Sequence, residues 1–365
     1  MQTQVKEVNI LLIHQHFLGG NISIKDISGN TIVLQNELRD TKGDWFYWAF
    51  CVEGAENRTL TFQFQDNRLG YYGPAVSYDL ENWHWLDCVE GDTFSYSFTE
   101  DEHKVYFAHH MLYHPARFFR FAQAHHLCVE ELCKGYKGSS IPSVTIGDGP
   151  MSIILTARHH ACESTGNYVL EGALEELLAC PIPHTTVFCV PFVDYEGVLR
   201  GDQGKARLPF DHNRDYDSES DSIYPECRAI KAYADKNGCH FGIDFHSPWH
   251  IGDVNDHVFI VQNSIPKLPR FNQFGELLQS LMTPDALQYE HQYDYPPETG
   301  WNKSSTQFSV YMSKKEHNHL AFTIETTYFG THENKVSQSN LIALGRCVAR
   351  ALRRTLSEAS VSMPQ

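Results

Sequence analysis

A short apolar run, Ser152-Ile153-Ile154-Leu155-Thr156, leads into Ala157-Arg158-His159-His160-Ala161-Cys162-Glu163-Ser164, and an amphipathic segment over residues 168–178 follows at once. The first reads as a buried strand and the last as a helix. A strand that feeds directly into a helix commits the chain to layered α/β construction, in which ligands bind at the carboxyl ends of the strands. His160 and Glu163 stand at that turn, three residues apart, and can reach one cation from the same side. A His₂Glu set with an open fourth position is a catalytic zinc arrangement.

The chain around this feature divides into two parts. Residues 1–118 are read as an N-terminal β-sandwich, with period-two strands such as Thr59-Leu60-Thr61-Phe62-Gln63-Phe64, Thr93-Phe94-Ser95-Tyr96-Ser97-Phe98 and Lys104-Val105-Tyr106-Phe107-Ala108. Trp83-His84-Trp85, between two of these, is read as packing rather than as a recognition surface. Residues 119–365 are read as the catalytic domain, a mixed β-sheet flanked by helices. Residues 115–133 carry helical spacing through Phe118, Phe121, Ala122, Val129 and Leu132. Strands are expected around 143–146, 152–156, 185–190, 241–245, 257–261 and 320–324, with a closing helix over 337–355. The Tyr-, Pro- and Gly-rich stretch 289–305 reads as a long, functional loop.

Charge and cysteine content narrow the class of partner. The net charge of −16 argues against nucleic acid and anionic membranes. No run of eighteen apolar residues suggests a membrane span. Residues 1–10 carry no charged segment followed by an apolar run, so no secretory signal is expected and the location is expected to be cytoplasmic. Ten cysteines in such a setting are expected to be reduced rather than paired.

Three further elements carry chemistry. Ile243-Asp244-Phe245-His246 is an apolar run that delivers His246 at a strand end, either as a third metal ligand or as a core histidine. Glu325 ends the apolar run Ala321-Phe322-Thr323-Ile324, where a carboxylate must be paired, metal-bound or used. As a general base on a metal-activated water it has the required chemistry. In Asp211-His212-Asn213-Arg214, Arg214 can grip a carboxylate bidentately with Asn213 adding a donor, and Asp211 can hold the free ring N–H of a metal-bound histidine.

Together these elements resemble the zinc metallocarboxypeptidases, and within them the cytosolic carboxypeptidase-like branch. That family carries R-x-H-x-x-E, D-x-N-R, D-x-H and a strand ending in Glu; here they are Arg158–Glu163, Asp211–Arg214, Asp244–His246 and Thr323-Ile324-Glu325, in the same order. Residues 193–201 look like the family's N-P-D-G-V-x-x-G loop, and the N-terminal half resembles that branch's β-sandwich. The resemblance implies one zinc per chain on His160, Glu163 and His246, and Glu325 as general base. It further implies an Asn213–Arg214 clamp on the substrate's terminal carboxylate, and Asp211 orienting His160. It also implies a cation that stabilises the oxyanion. The ungapped match falls on Gly204, so Arg207 is taken for that role, with Lys205 as runner-up. The family's substrate-closing tyrosine is assigned to no residue.

The expected activity is release of the C-terminal residue of a peptide or protein. The alternatives are a related zinc amidase or acylase acting on an amino-acid derivative, and an inactive peptide-binding homologue. The branch members that trim glutamates carry a basic residue after a K-x-S-T run, where Lys303-Ser304-Ser305-Thr306 is followed by Gln307 and Phe308. The preferred terminal residue and the oligomeric state stay open.

Overall fold

The computed structural model describes residues 10–66 and 68–361; the expectation about a leader falls mainly on residues 1–9, outside the described residues. Two N-terminal sheets face each other. One orders its strands Leu12–His14, Ala49–Glu53, Lys104–Ala108, Ala75–Ser77 and His84–Trp85; the other orders Ser23–Ser28, Thr31–Gln35, Thr59–Phe64 and Thr93–Ser97. Alternation does what it should. Leu60, Phe62 and Phe64 point inward from one sheet onto Phe50, Val52, Val105 and Phe107 of the other. The rings of Phe50 and Phe107 lie 5.3 Å apart and those of Phe62 and Phe94 5.0 Å apart. Each such ring contributes about 2 kcal/mol by burial. Trp83 and Trp85 are buried against the second unit, and the Trp85 indole donates to the Val336 carbonyl at 2.8 Å.

The second unit is built on a seven-stranded mixed sheet in the order Val129–Lys134, Ser140–Ile146, Thr185–Val190, Met151–Ala157, Phe241–His246, Leu320–Glu325, Phe259–Val261. The four strands from Thr185–Val190 to Leu320–Glu325 are parallel, and the flanking strands are antiparallel. Nearly continuous apolar runs suit strands covered on both faces. Helices Ser164–Ala179 and Gln338–Val361 pack on one face so closely that a Cβ at Gly172 would lie 1.9 Å from the Ile342 carbonyl oxygen. Glycine alone permits that backbone approach. The register sets Ala157 beside Phe245 and His246 beside Glu325. Three chain segments therefore end together at the carboxyl edge of the sheet.

One expected element is corrected. The helix read over 115–133 stops as Pro115–Ala124, and Val129–Lys134 is an edge strand paired with Ser140–Ile146. His126, at φ 54°, adopts the left-handed backbone and breaks the helical path, so Val129 and Leu132 never join the helical face. The same helix runs across the expected division at residues 118 and 119.

Candidate metal centre and active-site cleft

The turn after Met151–Ala157 is shaped by a buried arginine. Arg158, at φ 61°, donates from Nε to the Ala161 carbonyl at 2.8 Å and from Nη1 to Ser164 Oγ and Asn167 Oδ1 at 2.9 and 3.1 Å. The turn is thus held so that His160 and Glu163 face one side. Glu163 occupies the N-cap of Ser164–Ala179, yet its side chain makes no capping bond. The carboxylate is left for another use.

His160, Glu163 and His246 are brought together, with one donor atom from each inside a 4.8 Å group. Glu163 Oε1 lies 2.8 Å from His160 Nδ1, and Oε2 lies 2.7 Å from His246 Nδ1. The second contact is close but not aligned as a hydrogen bond, and Glu163 Oε2 is buried without a hydrogen-bond partner. Donor atoms crowded together with one buried carboxylate oxygen left unpartnered fit a shared cation. The outward nitrogens are each held by a carboxylate: His160 Nε2 by Asp211 Oδ1 at 3.2 Å and His246 Nε2 by Asp244 Oδ2 at 2.6 Å. This is the outer support that metal-binding histidines use. Burial opposes charge on Glu163, but Lys205, His160 and His246 hold it well below the usual carboxylate range. Burial also opposes charge on Asp211, which His160 nevertheless keeps well below its ordinary value. A nitrogen and carboxylate set of this composition, open on one side, suits zinc.

The donors open onto a cleft of about 620 Å³ lined by Glu325, Lys205, Arg214, Asp211, Trp45, Trp249 and Trp301 among others. Glu325 is buried, and its Oε2 has no hydrogen-bond partner. Burial lifts its pKa to about 7, with the Glu163 charge adding to the effect and His246 and Lys205 pulling against it. Asn213 stands with Nδ2 3.3 Å from His246 Nε2, and its Oδ1 accepts from the Phe308 backbone at 3.1 Å. Arg214 donates to the Asn213 carbonyl at 3.0 Å and lines the cleft. A smaller recess of about 40 Å³ joins Asn213 and Arg214 to Val261, Gln307, Thr323 and Glu325. Apart from Arg214, the described lining of this recess includes no arginine or lysine, and Gln307 is part of it.

Arg207 does not line this cleft. Its guanidinium turns away from the cleft toward Asp194 Oδ1 at 3.0 Å, Asp202 and Asp40, and it lines a separate cavity of about 330 Å³. A guanidinium buried among three carboxylates is fixed by them and cannot swing out without stranding their charge. Lys205 faces the donors instead. Its ammonium lies 2.5 Å from Glu163 Oε1 and donates to the Ser247 and Pro248 carbonyls at 2.9 and 3.1 Å.

The sequence reading gave no role to Asp244. Besides holding His246 it accepts from Thr156 and contacts His159 Nδ1, each at 2.8 Å, while His159 Nε2 meets the Tyr216 hydroxyl at 2.7 Å. The signal was available, because residues two apart on a strand share a face. Trp45 and Trp249 also went unassigned. Their rings meet edge to face 5.2 Å apart, one from each unit, and Trp249 is 43% exposed. No local pattern marks such a long-range pair.

Comparison with known proteins agrees with this architecture. Residues 13–110 match the family model of the cytosolic carboxypeptidase N-terminal domain. The chain is 27% identical over 327 residues to an uncharacterized protein of Zymomonas mobilis, covering 82% of this chain and 84% of that one. A metallo-carboxypeptidase of Burkholderia cenocepacia superposes with a TM-score of 0.76 at 18% identity, covering 96% of this chain and all of that one. A metallo-carboxypeptidase of Pseudomonas aeruginosa, solved in complex with (2-guanidinoethylmercapto)succinic acid, gives 0.77 at 22% identity, covering 95% and 99%. The chain has the fold of these metallo-carboxypeptidases, and the residues matched by the family model lie in its N-terminal sandwich.

Proposed function

We propose that this protein is a zinc-dependent carboxypeptidase that hydrolyses the C-terminal peptide bond of peptides or proteins. The observation that carries the reading is Glu325: a buried carboxylate with an unpartnered oxygen and a raised pKa, lining the same cleft as His160, Glu163 and Arg214. A carboxylate in that condition is poised to accept a proton near neutral pH. His160, Glu163 and His246 would hold the metal. Zinc bound there supplies Lewis acidity, which acidifies water and polarises a carbonyl.

The chain's own residues do the rest. Glu325 takes the proton from the attacking water and passes it to the leaving amine. Lys205, held over the cleft, stabilises charge developing on the carbonyl oxygen. Arg214, with Asn213, binds the terminal carboxylate and so selects chain ends; the succinic-acid compound on the Pseudomonas aeruginosa protein is consistent with a carboxylate-binding site in this fold. Asp211 and Asp244 orient the two histidines. The three candidate ligands and the base are all present, and this supports an active enzyme over an inactive homologue. The carboxylate grip supports a carboxypeptidase over an amidase. A cytoplasmic location belongs to the proposal and is supported by the N-terminal domain match.

Metal analysis tests the cradle. Purified protein should hold about one zinc per chain, and His246→Ala should remove it together with activity. Full zinc occupancy in His246→Ala would refute the assignment.

A further inference from the structure

The loop over residues 202–208 carries Lys205, and the N-terminal sandwich holds that loop from one side. Both carboxylate oxygens of Asp40 are used on it: the backbone N–H groups of Gln203 and Gly204 donate to them at 3.0 and 2.8 Å. The Asp40 carbonyl accepts from Leu208 N at 2.8 Å, and the Thr41 hydroxyl donates to the Ala206 carbonyl at 3.2 Å. Gln203 reaches back into the sandwich. Its Oε1 accepts from Tyr47 N at 2.9 Å, and its Nε2 donates to the Tyr47 and Glu37 carbonyls at 2.8 and 3.1 Å.

The other side of the loop lies on the metal-ligand turn. Cys162 N donates to the Gln203 carbonyl at 3.2 Å, and a Cβ at Gly204 would fall 2.1 Å from the Ala161 nitrogen. Ala206, next to Lys205, sits at φ 45°. A non-glycine residue stays in that region only where its surroundings over-determine it; here Thr41 holds the Ala206 carbonyl, Asp211 Oδ2 accepts from Ala206 N at 3.0 Å, and Asp40 grips the flanking residues Gln203, Gly204 and Leu208. The same sandwich segment also lays the Trp45 ring 5.7 Å from the Lys205 ammonium.

We infer that the N-terminal sandwich is a working part of the active site, with Asp40 as the positioning residue that presents Lys205 to the substrate carbonyl. The inference rests on the carboxypeptidase reading above. It gives the sandwich a function beyond packing, and it predicts that Asp40 acts on turnover only through Lys205.

A double-mutant cycle on the zinc-loaded enzyme tests this, using Asp40→Asn, Lys205→Met and the pair. Asparagine keeps the size of Asp40 but sets an amide N–H against one of two backbone donors. Asp40→Asn should lower kcat about tenfold or more, leave KM within about twofold and retain zinc. In the Lys205→Met background the same change should alter kcat by less than about twofold. Losses that multiply, or an unchanged kcat in Asp40→Asn, would overturn the inference. Should Asp40→Asn fail to fold or lose zinc, Thr41→Val, which deletes the bond to the Ala206 carbonyl together with the one the hydroxyl accepts from Gly43 N, enters the same cycle under the same criterion. An unmutated protein that cleaves no peptide overturns the reading beneath as well, whereas a Lys205→Met enzyme of full kcat overturns the role of Lys205, and with it this inference, and leaves the carboxypeptidase reading standing. Multiplying losses in an active enzyme overturn only the role of Asp40.

Discussion

Replacing Lys205 by methionine keeps the stem and removes the ammonium, and its consequences separate by metal state. In the metal-free protein the ammonium neutralises Glu163 at 2.5 Å and satisfies the carbonyls of Ser247 and Pro248. Removing one partner of a buried pair costs about 3–5 kcal/mol, and each stranded carbonyl adds roughly 1 kcal/mol. With zinc among His160, Glu163 and His246, Glu163 again faces a cation, so the loss shrinks to the two carbonyls, roughly 2 kcal/mol. The melting temperature should therefore fall at least about twice as far in chelated as in loaded protein. Zinc should bind no more weakly, because a competing positive charge has gone. Turnover should fall about 10²–10³-fold, the usual cost of one preorganised donor to the developing oxyanion. The assay pairs hydrolysis of an N-blocked dipeptide with zinc content and melting curves with and without chelator. Full turnover with zinc retained would remove Lys205 from the mechanism. Loss of zinc would show that the lysine supports the cradle rather than the substrate.

Glu325→Gln should keep zinc and lose about 10²–10⁴-fold in kcat, and a variant of near-normal rate would end the general-base assignment. Because burial lifts Glu325 to about 7 without metal, while a neighbouring cation pulls it down, the acid limb of kcat/KM should lie at or below pH 7 and vanish in Glu325→Gln. Stability should weaken in acid through a second group of residues. His109 contacts His110 at 2.9 Å and His250 at 2.8 Å, and burial holds all three below 6.5, His250 at about 4. Below pH 6.5 the unfolded chain takes up protons that the folded one refuses, so this contribution is complete above that pH and is lost on descending toward 4. For His250 alone it amounts to about 3 kcal/mol. Denaturant titrations of wild type and His250→Gln should differ by about 1.2 kcal/mol over the pH unit between 6 and 5; parallel slopes would contradict this.

The grouping of His160, Glu163 and His246 was legible because apolar strands announce where they end. Ser152–Thr156, Ile243–Phe245 and Ala321–Ile324 are mostly apolar, interrupted in the second by Asp244, and each leads to a polar residue or turn; parallel pairing brings those ends together. Spacing could not tell Lys205 from Arg207. The two are separated by left-handed Ala206, and one lines the metal cleft while the other lines the cavity behind it. The helical period through Val129 and Leu132 misled for a similar reason, since His126 reverses the backbone and periodicity does not register a single φ. Trp45 and Asp40 reach the site from more than a hundred residues upstream of His160, a placement set by tertiary packing alone.

The central claim is that the cleft recognises a chain end and cuts the bond next to it. Its most direct test is mass-spectrometric analysis of the products from two peptides identical except that one ends in a free carboxylate and the other in an amide, each incubated with the zinc-loaded protein. The account predicts loss of a single C-terminal residue from the free acid, with the amide slower by about 1.5–3 kcal/mol of lost charge-assisted hydrogen bonding to Arg214, roughly 10–100-fold. Equal cleavage of both peptides, or cleavage at an internal bond, would contradict it.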